Sequence, residues 1–189
     1  MARLDLSKHD WLSLVDQSGL LLSEPVLLTH FPDGPDKVES WLYRKFHKQY
    51  QRRFLSGDPI ARQREWVSFI ITHILDLTGR VSSNSLPDKC HVYLIEYDQK
   101  LRADWALLDE GGEPSLIGMT FPPDQNLEKR ETKTGRWKAT PVTKMERLMS
   151  ESGIPFGLRP HSYEFRMIYP PPRSSAPSLI FTPLTVDDD

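Results

Sequence analysis

Asp104 stands at the head of Trp105-Ala106-Leu107-Leu108, a run with the apolarity of a short β-strand. About ten residues on, Ser115-Leu116-Ile117-Gly118-Met119-Thr120-Phe121 has the length and character of its pairing strand. Paired strands of this kind are where metal-dependent phosphodiester cleavage is built. An aspartate heads one strand, and the next carries a carboxylate and a lysine two residues apart. Side chains two apart on a strand share a face, so both point at the same cation. The carboxylates hold a divalent metal, and the lysine positions or activates water. Here Asp104 supplies the first part, but the carboxylate position is Gly118 and the lysine position is Thr120. The pattern predicts a degenerate centre with no catalytic residue and no metal of its own. A competing reading is an active endonuclease that uses Mg²⁺ with displaced acids, drawn from Glu65, Asp104, Asp109 and Glu113. Lys129 and Lys133 lie too far along the chain to replace the missing lysine.

Other constellations carry less. The six histidines, at 9, 30, 47, 73, 91 and 161, show no ligand spacing. His73 falls within an apolar helical pattern and reads as a core residue. Cys90 is the only cysteine, so neither an internal disulfide nor a zinc knuckle is available. Cys90 and His91 make a poor nucleophile pair, because adjacent strand residues point to opposite faces.

The net charge of −2 hides an uneven distribution. Arg44, Lys45, Lys48, Arg52, Arg53, Arg62 and Arg64 face only one acid, Asp58, within the same stretch. Such a cationic segment marks a DNA-facing surface or a solvated helix face. Trp137, in a charged loop, stacks on a base or anchors that loop. Trp41, Trp66 and Trp105 fall on apolar faces and read as structural.

The elements that must position these residues follow from spacing and caps. A short helix is expected over 10–19, closed by Gly19. From Asp36, apolar residues at Val38, Trp41, Leu42, Phe46, Tyr50 and Phe54 predict a helix with one wet face. Asp58-Pro59 is an N-cap followed by proline at the first helical position. Behind it, Trp66, Val67, Phe69, Ile70, Ile71, Ile74 and Leu75 predict the most buried helix. Residues 80–89 read as a loop. The runs 91–97, 101–108 and 115–121 then predict three strands of one antiparallel meander. A charge-rich surface loop follows to Lys138. Thr140-Pro141 opens a helix with the stripe Val142, Met145, Leu148 and Met149, stopped by Gly153. Strands are expected at 154–158 and 163–169, with an edge strand near 179–184. The predicted class is therefore α/β (α+β), a mixed sheet flanked by helices. A helical N-terminal part, 1–80, is expected to lead into an α/β core, 81–189, the two packed as one compact domain.

The stretch Thr140-Pro141 through Gly153-Ile154-Pro155-Phe156-Gly157-Leu158 resembles a segment of restriction-modification proteins. There a helix ends in a Gly-Pro turn and continues into a strand and hairpin. Tyr163-Glu164-Phe165-Arg166-Met167-Ile168-Tyr169 and Leu179-Ile180-Phe181 match the remainder. In the turn this chain has Arg159-Pro160-His161 where those families have Thr-Asn-Gly. Trp11-Leu12-Ser13-Leu14-Val15, Leu21 to Leu27 and Trp66 to Leu77 follow in a similar order. Together these segments resemble the N-terminal region of large adenine-specific DNA methylases of type IIG-like and DISARM phage-defence systems. The resemblance implies a restriction-endonuclease-like core with a degenerate centre. Its role would be DNA engagement or domain assembly beside a methylase domain that uses S-adenosylmethionine. The methylase is not expected here: Phe121-Pro122-Pro123-Asp124 only superficially resembles a base-gripping loop, and no Gly-rich cofactor loop is visible. The expected partners are DNA and other domains of a longer protein or defence complex. A protein-interaction module without DNA contact is the remaining alternative.

The hydrophobic fraction is 38% and the mean hydropathy −0.49, enough for one core and too polar for a membrane span. The lone cysteine and the charged start, Met1-Ala2-Arg3-Leu4-Asp5, lead to the expectation of a cytoplasmic protein.

Overall fold

The computed structural model describes residues 15–18, 23–34, 36–52, 57–122, 125–130, 136–161, 164–169 and 178–181. Two helices form the first layer. They are α2 (Ser40–Arg52) and α3 (Pro59–Phe69), preceded by the short α1 (Glu24–His30). Asp58 caps α3 as its residue type predicts: the carboxylate accepts the Ile60 N–H at 3.0 Å. Beyond Phe69 the helix widens into a π-helical turn, Ile70–Ile74, where the Leu75 N–H donates to the Ile70 carbonyl at 2.9 Å. The last main helix, α4 (Pro141–Ser152), has Thr140 as its N-cap, accepting the Thr143 N–H at 3.1 Å. It stops at Gly153, whose φ of 70° lies in the left-handed region that glycine adopts without cost.

Among the described residues the strands are β1 (Val15–Ser18), β2 (Val81–Ser82), β3 (His91–Leu94), β4 (Gln99–Arg102), β5 (Trp105–Leu108), β6 (Pro114–Gly118), β7 (Phe156–His161), β8 (Glu164–Ile168) and β9 (Ser178–Phe181). Seven of them form one mixed sheet in the order β1-β9-β8-β7-β6-β5-β2. Every neighbouring pair is antiparallel except β6 and β7, which run parallel with α4 as the crossover between them. The protein is thus α+β, as the patterning indicates.

Period-two alternation divides the core into two faces. Trp105, Leu158 and Phe165 pack with Trp66, Val67, Phe69, Ile70 and Ile71 of the α3 segment. Ala106, Ile117 and Ile168 pack on the other face with Met145, Leu148 and Met149 of α4. Because α3 completes the first cluster, a boundary at residue 80 separates no independent cores.

Several elements differ from the expectation. Residues 15–18 are a strand paired with β9, not part of a helix; 10–14 and 19 lie outside the described residues. An available sheet edge outweighs a weak local helical pattern. The meander is split. β3 and β4 leave the main sheet as a separate hairpin, turned at Asp98 with φ 48°. The division falls between adjacent residues: the Ala103 N–H donates to the carbonyl of Cys90, just before the hairpin, and the Asp104 N–H donates to that of Gly118 in the sheet. In place of β3, the sheet takes β2 from the expected 80–89 loop. Ile74 and Leu75 are exposed, because the π turn rotates them off the buried face. Trp41, expected on an apolar face, is 52% exposed.

On the α4 side, buried Arg159 of β7 lies opposite Arg166 of β8. Glu128 answers both, at 3.7 Å and 3.1 Å, which ties the 125–130 segment to the sheet. Burial, and then the Glu128 charge, push the Glu146 carboxyl above its ordinary range despite the opposing pull of Arg159. A raised carboxyl favours the folded state only while it is protonated, and that contribution disappears as pH rises through the raised value. Glu146→Gln is therefore expected to leave urea stability unchanged below about pH 4 and to raise it at neutral pH. Leu148→Ala, which empties a fully buried site, should cost about 2–5 kcal/mol with little change in denaturant slope. Arg147→Ala removes only exposed ion pairs to Glu96 and Glu151 and should cost about 1 kcal/mol or less.

Candidate functional site

β5 and β6 bring Asp104, Gly118 and Thr120 together, as the alternation requires. Trp105 is the register partner of Gly118, so the two residues share a face. The indole lies across the glycine. A Cβ at 118 would sit 1.9 Å from Cε2, 2.1 Å from Cζ2 and 2.5 Å from Nε1 of Trp105. No side chain fits there unless the tryptophan moves. Asp104 is half-buried, and one of its carboxylate oxygens accepts the backbone N–H of Thr120 at 2.6 Å. The aspartate thus links the head of β5 to the chain leaving β6.

Asp104, Trp105 and Thr120 border a cleft of about 520 Å³ between α3 and the β4–β5 junction. Its α3 side carries Arg64, Val67, Ser68 and the π-turn residues Ile71 and Thr72. Val81, Ser83 and Asn84 close one side, and Arg102, Asp104, Trp105 and Thr120 the other. A second, more open groove runs between α2 and α3. Lys45, Arg52, Arg64 and Glu65 border it, and it shares Arg64, Ser68 and Thr72 with the cleft. A cationic surface is therefore continuous with the place where the nuclease pattern would put its chemistry.

The remaining candidates are dispersed. Arg44 and Lys48 are exposed on α2 outside the groove lining. Arg62 is half-buried and donates to the Arg52 carbonyl at 2.9 Å, which closes the approach of α2 to α3. Arg53 and Lys133 lie outside the described residues. Trp137 stacks on Tyr97, with centroids 5.0 Å apart and planes at 15°, and packs against the α4-side core. That geometry matches loop anchoring. His73, expected in the core, is exposed, stacks on Phe69 at 5.2 Å and shares a hydrogen bond with Thr72. Cys90 is fully buried, and desolvation pushes its thiol up, which disfavours a nucleophilic thiolate.

The four displaced acids do not converge. Glu65 borders the α2–α3 groove, and Asp104 borders the cleft. Asp109, at the far end of β5, accepts the N–H groups of Gly111 and Glu113 at 2.9 Å each, shaping the β5–β6 turn. Glu113 is paired with Lys89. Among the described residues, no group of three or more His, Cys, Asp or Glu side chains is arranged to hold a metal ion. This donor set does not fit a divalent cation.

What sequence reasoning missed is the polar wall formed by Ser68, Thr72, Asn84 and Arg102. These residue types are individually unremarked, and only the packing of α3 against the β4–β5 junction assembles them. No family model matches this chain, and no curated protein or solved structure matches it significantly. Among the described residues, no helix is long and apolar enough to cross a membrane.

The contact between Trp105 and position 118 is open to a double-mutant cycle. Gly118→Glu is expected to destabilise the fold by at least about 1–3 kcal/mol through overpacking. In a Trp105→Gly background the same change should cost at least about 1 kcal/mol less. Equal costs in the two backgrounds, from urea denaturation, would refute the steric conflict.

Proposed function

We propose that this chain is a nuclease-like α+β domain whose catalytic position has been given over to packing. In this reading it engages DNA on behalf of a restriction-modification or phage-defence methylase. The observation that carries the reading is the Trp105 indole lying over Gly118, where the metal-binding carboxylate of an active centre would stand. The topology supports it too. An aspartate heads β5, β6 runs antiparallel beside it, and α4 crosses over to a parallel β7. A restriction-endonuclease-like core uses this order too, which supports the reading although β3 and β4 stand apart from the sheet.

DNA engagement is assigned to the α2–α3 groove, where Lys45, Arg52 and Arg64 present cations at its border. Contacts from such side chains to phosphates position a duplex without reading its sequence. Under this proposal the chain carries no cofactor of its own. S-adenosylmethionine belongs to a linked methylase domain, and the cytoplasm is where the assembly works. Domain assembly is the second reading. It is favoured by Val38, Trp41 and Tyr43, exposed at 66%, 52% and 48% on and just before α2.

The purified chain is expected to leave supercoiled plasmid intact with magnesium or manganese. Metal-dependent nicking that is lost in Asp104→Ala would establish the endonuclease alternative instead. Duplex binding should weaken with salt, at a log–log slope of about −2.7 for three phosphate contacts. The Lys45→Glu, Arg52→Glu double variant should bind more weakly and flatten the slope toward about −0.9. A salt-independent interaction, or unchanged binding in that variant, would favour the protein-interaction reading.

A further inference from the structure

We infer that the cleft between α3 and the β4–β5 junction binds a single nucleotide, with its phosphate on Arg64 and Arg102 and its base against the apolar wall. The inference rests on the reading of the chain as a DNA-engaging domain and names what the altered centre now holds.

The cleft volume of about 520 Å³ lies in the range of small-ligand sites. Its lining is divided by chemistry. Val67, Ile71, Val81 and Trp105 supply apolar surface, and Ser68, Thr72, Asn84 and Thr120 supply hydrogen-bonding groups. Arg64 and Arg102 border the same space, and their side chains make no hydrogen bond or ion pair among the described residues. Trp105 is only 6% exposed, and its indole N–H has no hydrogen-bond partner there. That nitrogen lies against Gly118, closed to the cleft, so what Trp105 offers the cleft is the apolar part of its ring.

These features select a ligand with three properties: an anionic group for two guanidinium groups, a flat apolar face, and a polar edge. An inorganic anion leaves the apolar wall unused. An apolar ligand leaves the arginines and Asn84 unmatched. A nucleotide satisfies all three. Asp104 adds a preference. One carboxylate oxygen holds the Thr120 N–H, and the other is an acceptor suited to the amino group of adenine or cytosine. The π-helical turn sits in this wall through Ile71 and Thr72, where such turns commonly mark binding sites. The nucleotide comes from an unpaired position in a DNA strand, extruded from its stack, or from free solution.

The test uses the protein with its tryptophan indoles labelled with ¹⁵N, and Trp105→Phe assigns the Trp105 resonance. Deoxyadenosine monophosphate is expected to shift that resonance saturably. Arg64→Ala and Arg102→Ala, both at exposed positions, should each weaken binding about tenfold with unchanged circular dichroism. Ser83→Trp, which fills the cleft from its rim, should abolish the shift. A single-stranded oligonucleotide that produces the same shift at lower concentration identifies a DNA strand as the source. Preference for the mononucleotide identifies free nucleotide, and either result supports the site. An unmoved Trp105 resonance, or equal affinity in the arginine variants, overturns it. The duplex salt titration on the unaltered chain separates the two readings. Salt-dependent duplex binding with a silent Trp105 removes the cleft proposal alone, whereas absence of both removes the DNA reading as well.

Discussion

The indole of Trp105 and the bare backbone of Gly118 occupy one volume, and much of the molecule is arranged around that contact. The glycine lets a tryptophan lie flat across β6, where any Cβ would collide with it. The tryptophan in turn gives the sheet an aromatic surface on which α3 packs through Trp66, Val67 and Ile70. Aromatic burial of this size is among the larger single contributions to a core. Trp105 also lines one wall of the cleft. Core packing and the exclusion of any side chain at position 118 are thus consequences of one arrangement.

The two faces of the sheet have different work. The α4 face is a conventional apolar layer, bordered by the buried Arg159 and its ion pair to Glu128. The α3 face combines an aromatic cluster with polar edges, and both open surfaces lie there. Chain direction explains the placement. β4 ends and β5 begins within two residues, and that junction turns Arg102 and Asp104 toward α3. A meander in one sheet would have carried residues 103 and 104 straight through and left no such corner.

The starts of α3 and α4 and the end of α4 were legible because their signals are local, whereas α1 had none that marked it as a helix. Asp58-Pro59, Thr140-Pro141 and Gly153 act through neighbouring backbone groups, and the structure uses each of them. The two strands flanking the α4 crossover were legible for a similar reason: alternation and the capped helix between them fix their relation. The hairpin escaped, because its alternation is the same in either sheet. Which sheet each run joins shows only in the folded chain, where the Ala103 N–H donates to the Cys90 carbonyl and the Asp104 N–H to that of Gly118. β1 escaped because a four-residue strand has almost no local signal, and its stability comes from β9, far along the chain.

From the sequence alone came the absence of a carboxylate at 118 and of a lysine at 120. So did the aspartate that heads β5, and the cationic bias of residues 44–64. These are matters of residue identity and short spacing, which no folding can alter. What occupies the space left by the missing side chain was decided only in three dimensions. Pairing β5 with β6 sets Trp105 opposite Gly118, and docking α3 encloses the cleft and joins it to the α2–α3 groove. Volume and enclosure are relations between distant segments, so they appear only when those segments pack.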